Sequence, residues 1–181
     1  MKSDHKMTGE ERRVYIVELL KNATEPITGQ MLAEKTGVSR QVIVTDIALL
    51  RTSDEPIIAT SRGYIYQIAS PREGLYRKVI VCKHTPEQTR KELEAIVDCG
   101  VTVVNVIVEH PFYGDLTGSL MLNSRYDVNR FMEAFTNQEA KLLSVLTGGV
   151  HLHTLESDSM AKIAAACDVL KRANILVTEN R

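Results

Sequence analysis

The chain has 181 residues, 44% of them hydrophobic and 25% charged, and a formal net charge of −1. These values are typical of an ordinary soluble globular protein with one large or two small domains, and they exclude a polycation. The longest apolar run is too short to cross a bilayer, the N-terminus lacks the apolar segment of a signal peptide, and three scattered cysteines predict reduced core residues in a cytoplasmic protein.

Three helices are predicted in the first third of the chain. Thr8 begins the first helix, because Thr8 and Glu11 have the spacing of a capping box. Thr28 and Ser39 are predicted to cap two further helices, and Gly37 is predicted to end the second helix in a left-handed conformation. Two short helices joined at a glycine, with a third entered through a serine cap, predict a helix-turn-helix.

The third helix, roughly Ser39 to Arg51, has the pattern of a recognition helix. Its apolar residues recur at helical spacing and should be buried: Ile43, Ile47 and Leu50. On the opposite face, Arg40 and Gln41 lie at the helix start, where a recognition helix first meets base edges. We therefore predict that this helix contacts DNA through Ser39, Arg40, Gln41, Val44 and Thr45.

Two short β-prone runs around Ser61-Arg62-Gly63 predict a hairpin, or wing, directly after the recognition helix. Arg62 at its tip is predicted to enter a minor groove or to meet phosphate. Residues 1–71 carry nine Lys/Arg and nine Asp/Glu. Because phosphate contacts supply much of the affinity for DNA, so neutral a domain needs segregated charge and a dimer to bind well. A three-helix protein-interaction module without DNA binding is the alternative.

Pro71-Arg72-Glu73-Gly74 is the predicted boundary to a second domain. The pattern that follows predicts the order β-α-β-β-α-β-α, and the final helix is expected to bury Met160, Ile163, Ala164 and Cys167. Such an order indicates a single antiparallel or mixed sheet with its helices on one face. The expected fold is thus α+β: a winged helix-turn-helix (1–71) followed by an α/β sandwich domain (72–181).

The stretch from Gly148 to Leu155 contains a histidine pair. If it is a strand, alternation places Val150 and Leu152 in a core and His151 and His153 on the opposite face. Two imidazoles two residues apart on a strand are about 6.5 Å apart, which is close enough to converge on one metal ion. A pair of surface histidines on an edge strand is the alternative.

His84 and Glu92 can join this pair. His84 ends the first strand of the domain, and Glu92 lies two turns into the next helix, which can pack back along the sheet. Three imidazoles and one carboxylate suit Zn, Ni, Fe or Mn, and ligand type alone does not choose among these metals. The sequence has no GxSxG, P-loop or HExxH motif, so a sensor is favoured over an enzyme. A metal-sensing regulator and a metalloenzyme fused to a DNA-binding domain remain alternatives.

Four segments carry a resemblance to a known family: SRQVIVTDIALLR at 39–51, KHTP at 83–86, EHPFYG at 109–114 and GGVHLHTL at 148–155. From about residue 8 to its end, the chain resembles the niacin-responsive transcriptional repressors of NAD biosynthesis, whose C-terminal part is called the three-histidine domain. The resemblance implies a homodimer that binds operators of NAD biosynthesis or niacin uptake genes, with nicotinic acid as co-repressor. It also implies a divalent metal on His84, Glu92, His151 and His153, and a ligand pocket that includes His110, Phe112 and Tyr113.

Overall fold

The computed structural model describes residues 7–67, 74–137 and 141–178, which divide into two compact units on either side of residues 68–73. Each unit has its own apolar core. The predicted boundary between residues 71 and 72 lies outside the described residues. Among the described helices, none combines the length and the hydropathy that a membrane crossing requires.

The first unit contains three helices and a two-stranded hairpin: α1 (Gly9–Asn22), α2 (Gly29–Thr36), α3 (Arg40–Thr52), β1 (Ile57–Thr60) and β2 (Gly63–Tyr66). The side-chain oxygens of Thr8, Thr28 and Ser39 each accept a backbone N–H three residues on, as the caps of α1, α2 and α3. Gly37 ends α2 in the left-handed region at φ 68°. The predicted helix-turn-helix and its hairpin, called the wing below, are therefore present.

The core of the first unit combines the predicted apolar stripes with a buried ion pair. Ile43 and Ile47 of α3 are buried as predicted. Asp46, on the same side of α3, is only 2% exposed and accepts hydrogen bonds from Arg12 Nε at 2.6 Å and Arg13 Nη1 at 3.4 Å. Charge as well as apolar packing thus ties α1 to α3.

The second unit has the predicted order of elements: β3 (Tyr76–Lys83), α4 (Thr89–Val97), β4 (Thr102–His110), β5 (Gly114–Leu122), α5 (Arg125–Asn137), β6 (Val150–Ser157) and α6 (Met160–Arg172). Its strands form one antiparallel sheet in the spatial order β3-β6-β4-β5. One core cluster joins residues from a single side of these strands to α4, α5 and α6, so the helices cover one face, as predicted.

The prediction for α6 was wrong in two positions. Met160 is 46% exposed and Ala164 is also exposed, whereas the buried stripe is Ile163, Ala166, Cys167 and Leu170. Both sets have helical spacing, and they differ by a rotation of the helix about its axis. The fully buried Leu170 decides between them, because it continues the stripe that begins at Ile163 and not the one that begins at Met160.

The prediction of which face of β6 is buried was also wrong. His151 and His153 are each 2% exposed, and they share the buried face with Leu155, whereas Val150 is 38% exposed. Alternation gives the period of a strand but does not say which face the helices cover. β6 lies between β3 and β4, so the alternative of surface histidines on an edge strand is excluded as well.

Candidate metal centre

The four residues predicted as metal ligands lie together on the helix-covered face of the sheet. Glu92 Oε2 is 2.6 Å from His84 Nε2 and 3.5 Å from His153 Nε2, and Glu92 Oε1 is 3.2 Å from His151 Nε2. Glu92 is 1% exposed, and none of the three histidines exceeds 8%. The structure therefore brings His84, Glu92, His151 and His153 into one buried group, called the histidine–glutamate cluster below.

Gly149 allows the two histidine-bearing strands to approach each other. It has a φ of 94°, and a Cβ atom at this position would lie 2.3 Å from the carbonyl oxygen of His84. Only glycine adopts this conformation readily and leaves space for that oxygen. The Gly149 carbonyl accepts hydrogen bonds from the His84 backbone N–H at 3.4 Å and from His151 Nδ1 at 2.9 Å, so one residue holds the end of β3 and the start of β6.

Backbone carbonyls fix the tautomer of all three imidazoles. The Nδ1 atoms of His84, His151 and His153 lie 2.7, 2.9 and 2.7 Å from the carbonyl oxygens of Thr85, Gly149 and Asn105. Because a carbonyl only accepts, each Nδ1 must carry a proton and donate it. In the neutral ring Nε2 is then an acceptor, and all three Nε2 atoms are directed at Glu92.

A β-bulge in β4 supplies the carbonyl that orients His153. The register of β4 shifts between Val103 and Asn105 against both of its neighbours. Asn105 accepts twice from β6, through its carbonyl from His153 Nδ1 and through Oδ1 from the Thr154 N–H at 3.0 Å. Bulges re-aim groups beside functional sites. Here the bulge directs a main-chain acceptor to a histidine, which the sequence pattern did not predict.

The charges of the cluster favour an ionised Glu92. Burial raises the pKa of the Glu92 carboxyl, but the hydrogen bonds of His151 and His84 and the charge of His153 outweigh burial and hold this pKa well below its usual range. Burial lowers the pKa of His84. The hydrogen bond to Glu92, the Glu92 charge and the hydrogen bond to Thr85 together outweigh burial, so the pKa of His84 is raised above its ordinary value. The cluster therefore attracts a cation.

The donor set fits a divalent transition metal. Three Nε2 lone pairs and a carboxylate converge in a buried space, and His153 Nε2 has no hydrogen-bond partner among the described residues. Imidazole nitrogen with one carboxylate suits Zn, Ni and Fe, and the Nδ1–carbonyl hydrogen bonds are the outer contacts that orient metal-binding histidines. His84, Glu92, His151 and His153 are therefore the residues that could hold such an ion.

Cys82 is a further residue of this centre that the sequence pattern did not single out. Its Sγ lies within 4.8 Å of ligand atoms of Glu92 and His151, and the residue is fully buried. Burial, the Glu92 charge and a hydrogen bond to Glu92 raise the pKa of this thiol far above its ordinary value. Cys82 therefore stays protonated beside the carboxylate. Its alternation with Ile80 on β3 indicated a core position, but only the fold places it beside Glu92.

A cavity of about 170 Å³ opens beside the cluster. A single water needs about 10–15 Å³ of such space, so a small organic molecule can enter. Its walls are mostly apolar, from Leu93, Val106, Leu120, Phe131, Phe135, Leu142 and Leu143, and its polar lining residues outside the cluster are Thr89, Lys141 and Ser144. The cluster thus forms one wall of a pocket with the character of a ligand site.

The structure does not bring His110, Phe112 and Tyr113 to this cavity. They lie at the turn between β4 and β5, where Phe112 is 88% and Tyr113 is 77% exposed. The His110 ring lies 4.9 Å from that of Tyr113, so the three form a group of their own. Val106 of the same strand lines the cavity, and His110 lies four residues farther on, about 13 Å along the strand. The aromatic residues that line the cavity are Phe131 and Phe135.

The predicted DNA-contacting residues of α3 share one exposed face. Arg40, Gln41, Val44 and Thr45 are all exposed, and the acidic residue of this helix, Asp46, is buried on the other side. The exposed face of α3 therefore carries no carboxylate to repel phosphate. At the wing, Arg62 Nη2 lies 2.6 Å from Glu25 Oε2. The hydroxyl of Ser39 is occupied as the helix cap.

Comparison with known proteins matches both units. A family model described as an HTH domain covers residues 12–65, and one described as a 3H domain covers residues 77–179. The chain is 44% identical over 180 residues to transcription repressor NadR of Bacillus subtilis (strain 168). The aligned region covers 99% of this chain and 100% of that protein. It is 40% identical over 174 residues to the probable transcription repressor NiaR of Thermotoga maritima, with 96% and 98% of the two chains covered.

Proposed function

The chain belongs to the 3H-domain family of helix-turn-helix transcription repressors, and we propose that it represses genes of NAD biosynthesis or niacin uptake with nicotinic acid as co-repressor. Family membership makes it a DNA-binding regulator rather than an enzyme, as predicted, and it removes the metalloenzyme alternative. The observation that carries the proposal is a buried cluster of histidine nitrogens and one carboxylate that forms a wall of a cavity suited to a small ligand.

The proposed metal is a divalent transition ion, Zn, Ni, Fe or Mn, held by His84, Glu92, His151 and His153. The tautomer of the three imidazoles supports this metal. Each ring donates its Nδ1 proton to a backbone carbonyl, so in the neutral ring an Nε2 lone pair is turned to Glu92. When bound, the ion would supply positive charge and an electrophilic centre at the wall of the cavity. The residues themselves orient the lone pairs, and the cluster is almost fully buried.

Nicotinic acid is proposed as the ligand because it combines a flat ring with a carboxylate and a pyridine nitrogen. Phe131 and Phe135 line the cavity and can pack against the ring, whereas Tyr113, which the resemblance places in the ligand pocket, lies away from the cavity. Within this proposal we therefore assign ring packing to the two phenylalanines. The role of His110, Phe112 and Tyr113 as ligand residues remains a proposal that rests on the resemblance.

DNA binding is proposed to occur as a homodimer on double-stranded operators. Arg40 and Gln41 would bond guanine and adenine edges, and Val44 or Thr45 would contact a thymine methyl. Arg62 would reach a minor groove or phosphate from the wing. A co-repressor acts only by differential affinity, so nicotinic acid would favour the dimer arrangement whose recognition helices fit successive major grooves about 34 Å apart.

Operator binding against nicotinate concentration tests the proposal. The metal-loaded wild type should bind operator DNA more tightly as nicotinate rises, and His151→Ala/His153→Ala should lose this response while its nicotinate-independent DNA binding remains. An unchanged nicotinate response in the double variant would remove the metal from the mechanism.

A pure metal sensor is the second candidate, because the cluster supplies four ligand residues without any group from the cavity. Such a sensor would tighten operator binding on addition of metal alone. Under the proposed function, metal without nicotinate leaves operator affinity nearly unchanged. The same binding assay, with metal and nicotinate added separately and together, separates the two candidates.

A further inference from the structure

The charged residues that line the cavity determine the charge of the ligand that it favours. Among the described lining residues outside the histidines, Glu92 is the acid and Lys141 is the base. A divalent ion held by the cluster would leave one net positive charge after the Glu92 carboxylate, and Lys141 would add a second. Glu92 is paired with the histidines of the cluster, and none of the other described lining residues carries a carboxylate that would repel an anion in the cavity.

The remaining walls determine the shape of the ligand's body. The rings of Phe131 and Phe135 lie 5.5 Å apart on α5, and five aliphatic residues complete the apolar lining: Leu93, Val106, Leu120, Leu142 and Leu143. Such walls favour a flat apolar body over a sugar or a peptide, whose polar groups would be left without partners. The favoured ligand therefore has an anionic group on a flat apolar body, and a planar aromatic monocarboxylate has both features.

Thr89 supplies a second, independent sign of a ligand. It lines the cavity and is 6% exposed, and its Oγ1 has no hydrogen-bond partner among the described residues. Buried hydroxyl groups almost always have a partner, so an unpaired one beside a cavity indicates a group that arrives with a ligand. Thr89 also lies three residues before Glu92 on α4, on the same side of the helix as the cluster.

We infer that Lys141, through its charge, makes the cavity select an aromatic monocarboxylate over its uncharged amide, and that the Thr89 hydroxyl donates a hydrogen bond to the bound carboxylate. The inference rests on the proposed function, because it takes nicotinic acid as the ligand. Nicotinamide has the same ring and the same ring nitrogen and differs from nicotinate only in the substituent. The change in the ratio of the two affinities between Lys141 variants therefore reports the contribution of the Lys141 charge to binding of the carboxylate.

Isothermal titration of the metal-loaded full-length chain with nicotinate, nicotinamide and benzoate tests this selection. Lys141→Met should weaken nicotinate about tenfold and leave nicotinamide unchanged, and Lys141→Arg, the charge-keeping control, should retain the wild-type ratio. Thr89→Val, which keeps the shape of threonine, should weaken nicotinate about tenfold, whereas Thr89→Ser should restore most of the affinity. Benzoate, which lacks the ring nitrogen, should show the same dependence on Lys141. The metal content of every variant is measured in parallel.

The possible outcomes separate this inference from the proposed function. If the wild type binds neither nicotinate nor benzoate, the proposed function fails and this inference fails with it. If the wild type binds nicotinate and Lys141→Met keeps the wild-type ratio to nicotinamide, selection by Lys141 is overturned while the proposed function stands. Equal weakening of both ligands in Lys141→Met would show a structural role and also overturn it. Full nicotinate affinity in Thr89→Val would show that Thr89 makes no hydrogen bond to the ligand and would overturn its part of the inference.

Discussion

Two buried carboxylates, one in each unit, have opposite surroundings. Asp46 of the first unit is 2% exposed and accepts hydrogen bonds from Arg12 and Arg13, whose guanidinium groups are permanently protonated. Glu92 of the second unit is 1% exposed and faces three imidazoles. Each of these rings already donates its Nδ1 proton to a backbone carbonyl, so in the neutral ring the nitrogen turned to Glu92 is an acceptor.

This difference distinguishes a structural ion pair from a binding site. Asp46 has permanent donors within the chain, so its ion pairs stabilise the packing of α1 on α3 and need nothing from solution. Glu92 faces three imidazoles whose neutral rings present acceptors, so this side of its site is satisfied only when a proton or a metal ion enters. Burial is nearly the same for the two residues, and the protonation of their neighbours determines the role of each.

The largest expected effect comes from Gly149, which holds two of the histidines around Glu92. Gly149→Ala should lower the free energy of unfolding of the second unit by about 4 kcal/mol. The new Cβ atom would lie 2.3 Å from the His84 carbonyl oxygen, and φ is 94°. Hydrogen exchange of β6 amides in the metal-free protein measures the loss.

Gly148→Ala is the matched control for this prediction. Gly148 is also left-handed, at φ 61°, but a Cβ atom there would have no described atom within 4 Å. The free energy of unfolding of Gly148→Ala should fall by only about 1–2 kcal/mol, the ordinary cost of the left-handed conformation for alanine. Equal losses in the two variants would show that the close approach to His84 does not shape the cluster.

Removal of each carboxylate charge tests the comparison directly. Asp46→Asn should destabilise the first unit by about 3 kcal/mol, because Arg12 and Arg13 lose their buried anion. Glu92→Gln should change the stability of the metal-free second unit by less than about 1 kcal/mol at pH 9, because the amide nitrogen can donate to the Nε2 atoms. Amide exchange in each unit measures both. A loss in Glu92→Gln as large as that in Asp46→Asn would contradict the difference between the two carboxylates.

The smallest expected effect is a pH dependence confined to the second unit. The raised pKa of His84 means that the metal-free cluster gains stability that is fully present below pH 6.5, its ordinary value, and is lost as pH rises through the folded-state pKa. The depressed pKa of Glu92 contributes stability that is present above its ordinary value of 4.5 and is lost as pH falls through the folded-state pKa. The metal-free second unit should therefore be most stable between about pH 4.5 and 6.5.

Metal affinity should have the opposite slope, because protons compete with the ion for His84. Affinity should rise about tenfold per pH unit until the folded-state pKa of His84 is passed, and should then level off. Metal titrations from pH 6 to pH 9, with chelator-treated protein unfolded thermally at each pH, measure both slopes. A metal affinity that does not depend on pH would show that no histidine proton is displaced.

The first unit was largely predictable because its signals are local. The caps at Thr8, Thr28 and Ser39 and the glycine at Gly37 act within three or four residues, and all four are observed. Asp46 was missed although it lies on the predicted apolar stripe of α3. The four buried residues of α3 and the first four of the five in α4 have the same spacing, with the acid second in each: Ile43, Asp46, Ile47, Leu50 and Thr89, Glu92, Leu93, Ile96.

The second unit was predictable in its order of elements and in the four residues that meet, but not in its details. The histidine face of β6 was misassigned because alternation gives no sign of which side is covered, although Leu155 shares the parity of the histidines. The contributions of Cys82, Asn105 and Lys141 come from segments far apart in the chain. Such contacts depend on sheet register and on a bulge, and no periodicity in the sequence encodes them.

Metal binding by the chelator-treated full-length protein tests the central claim, that Glu92 and its three histidines require a cation from solution. Equilibrium dialysis against Zn²⁺ or Ni²⁺ at pH 8 should show one ion per chain in the wild type and in Asp46→Asn, with equal affinity. Glu92→Gln should bind at least about 100-fold more weakly, more than the usual loss on removal of an outer contact. A wild type that takes up no ion, or a Glu92→Gln variant that binds as tightly as Asp46→Asn, would contradict the claim.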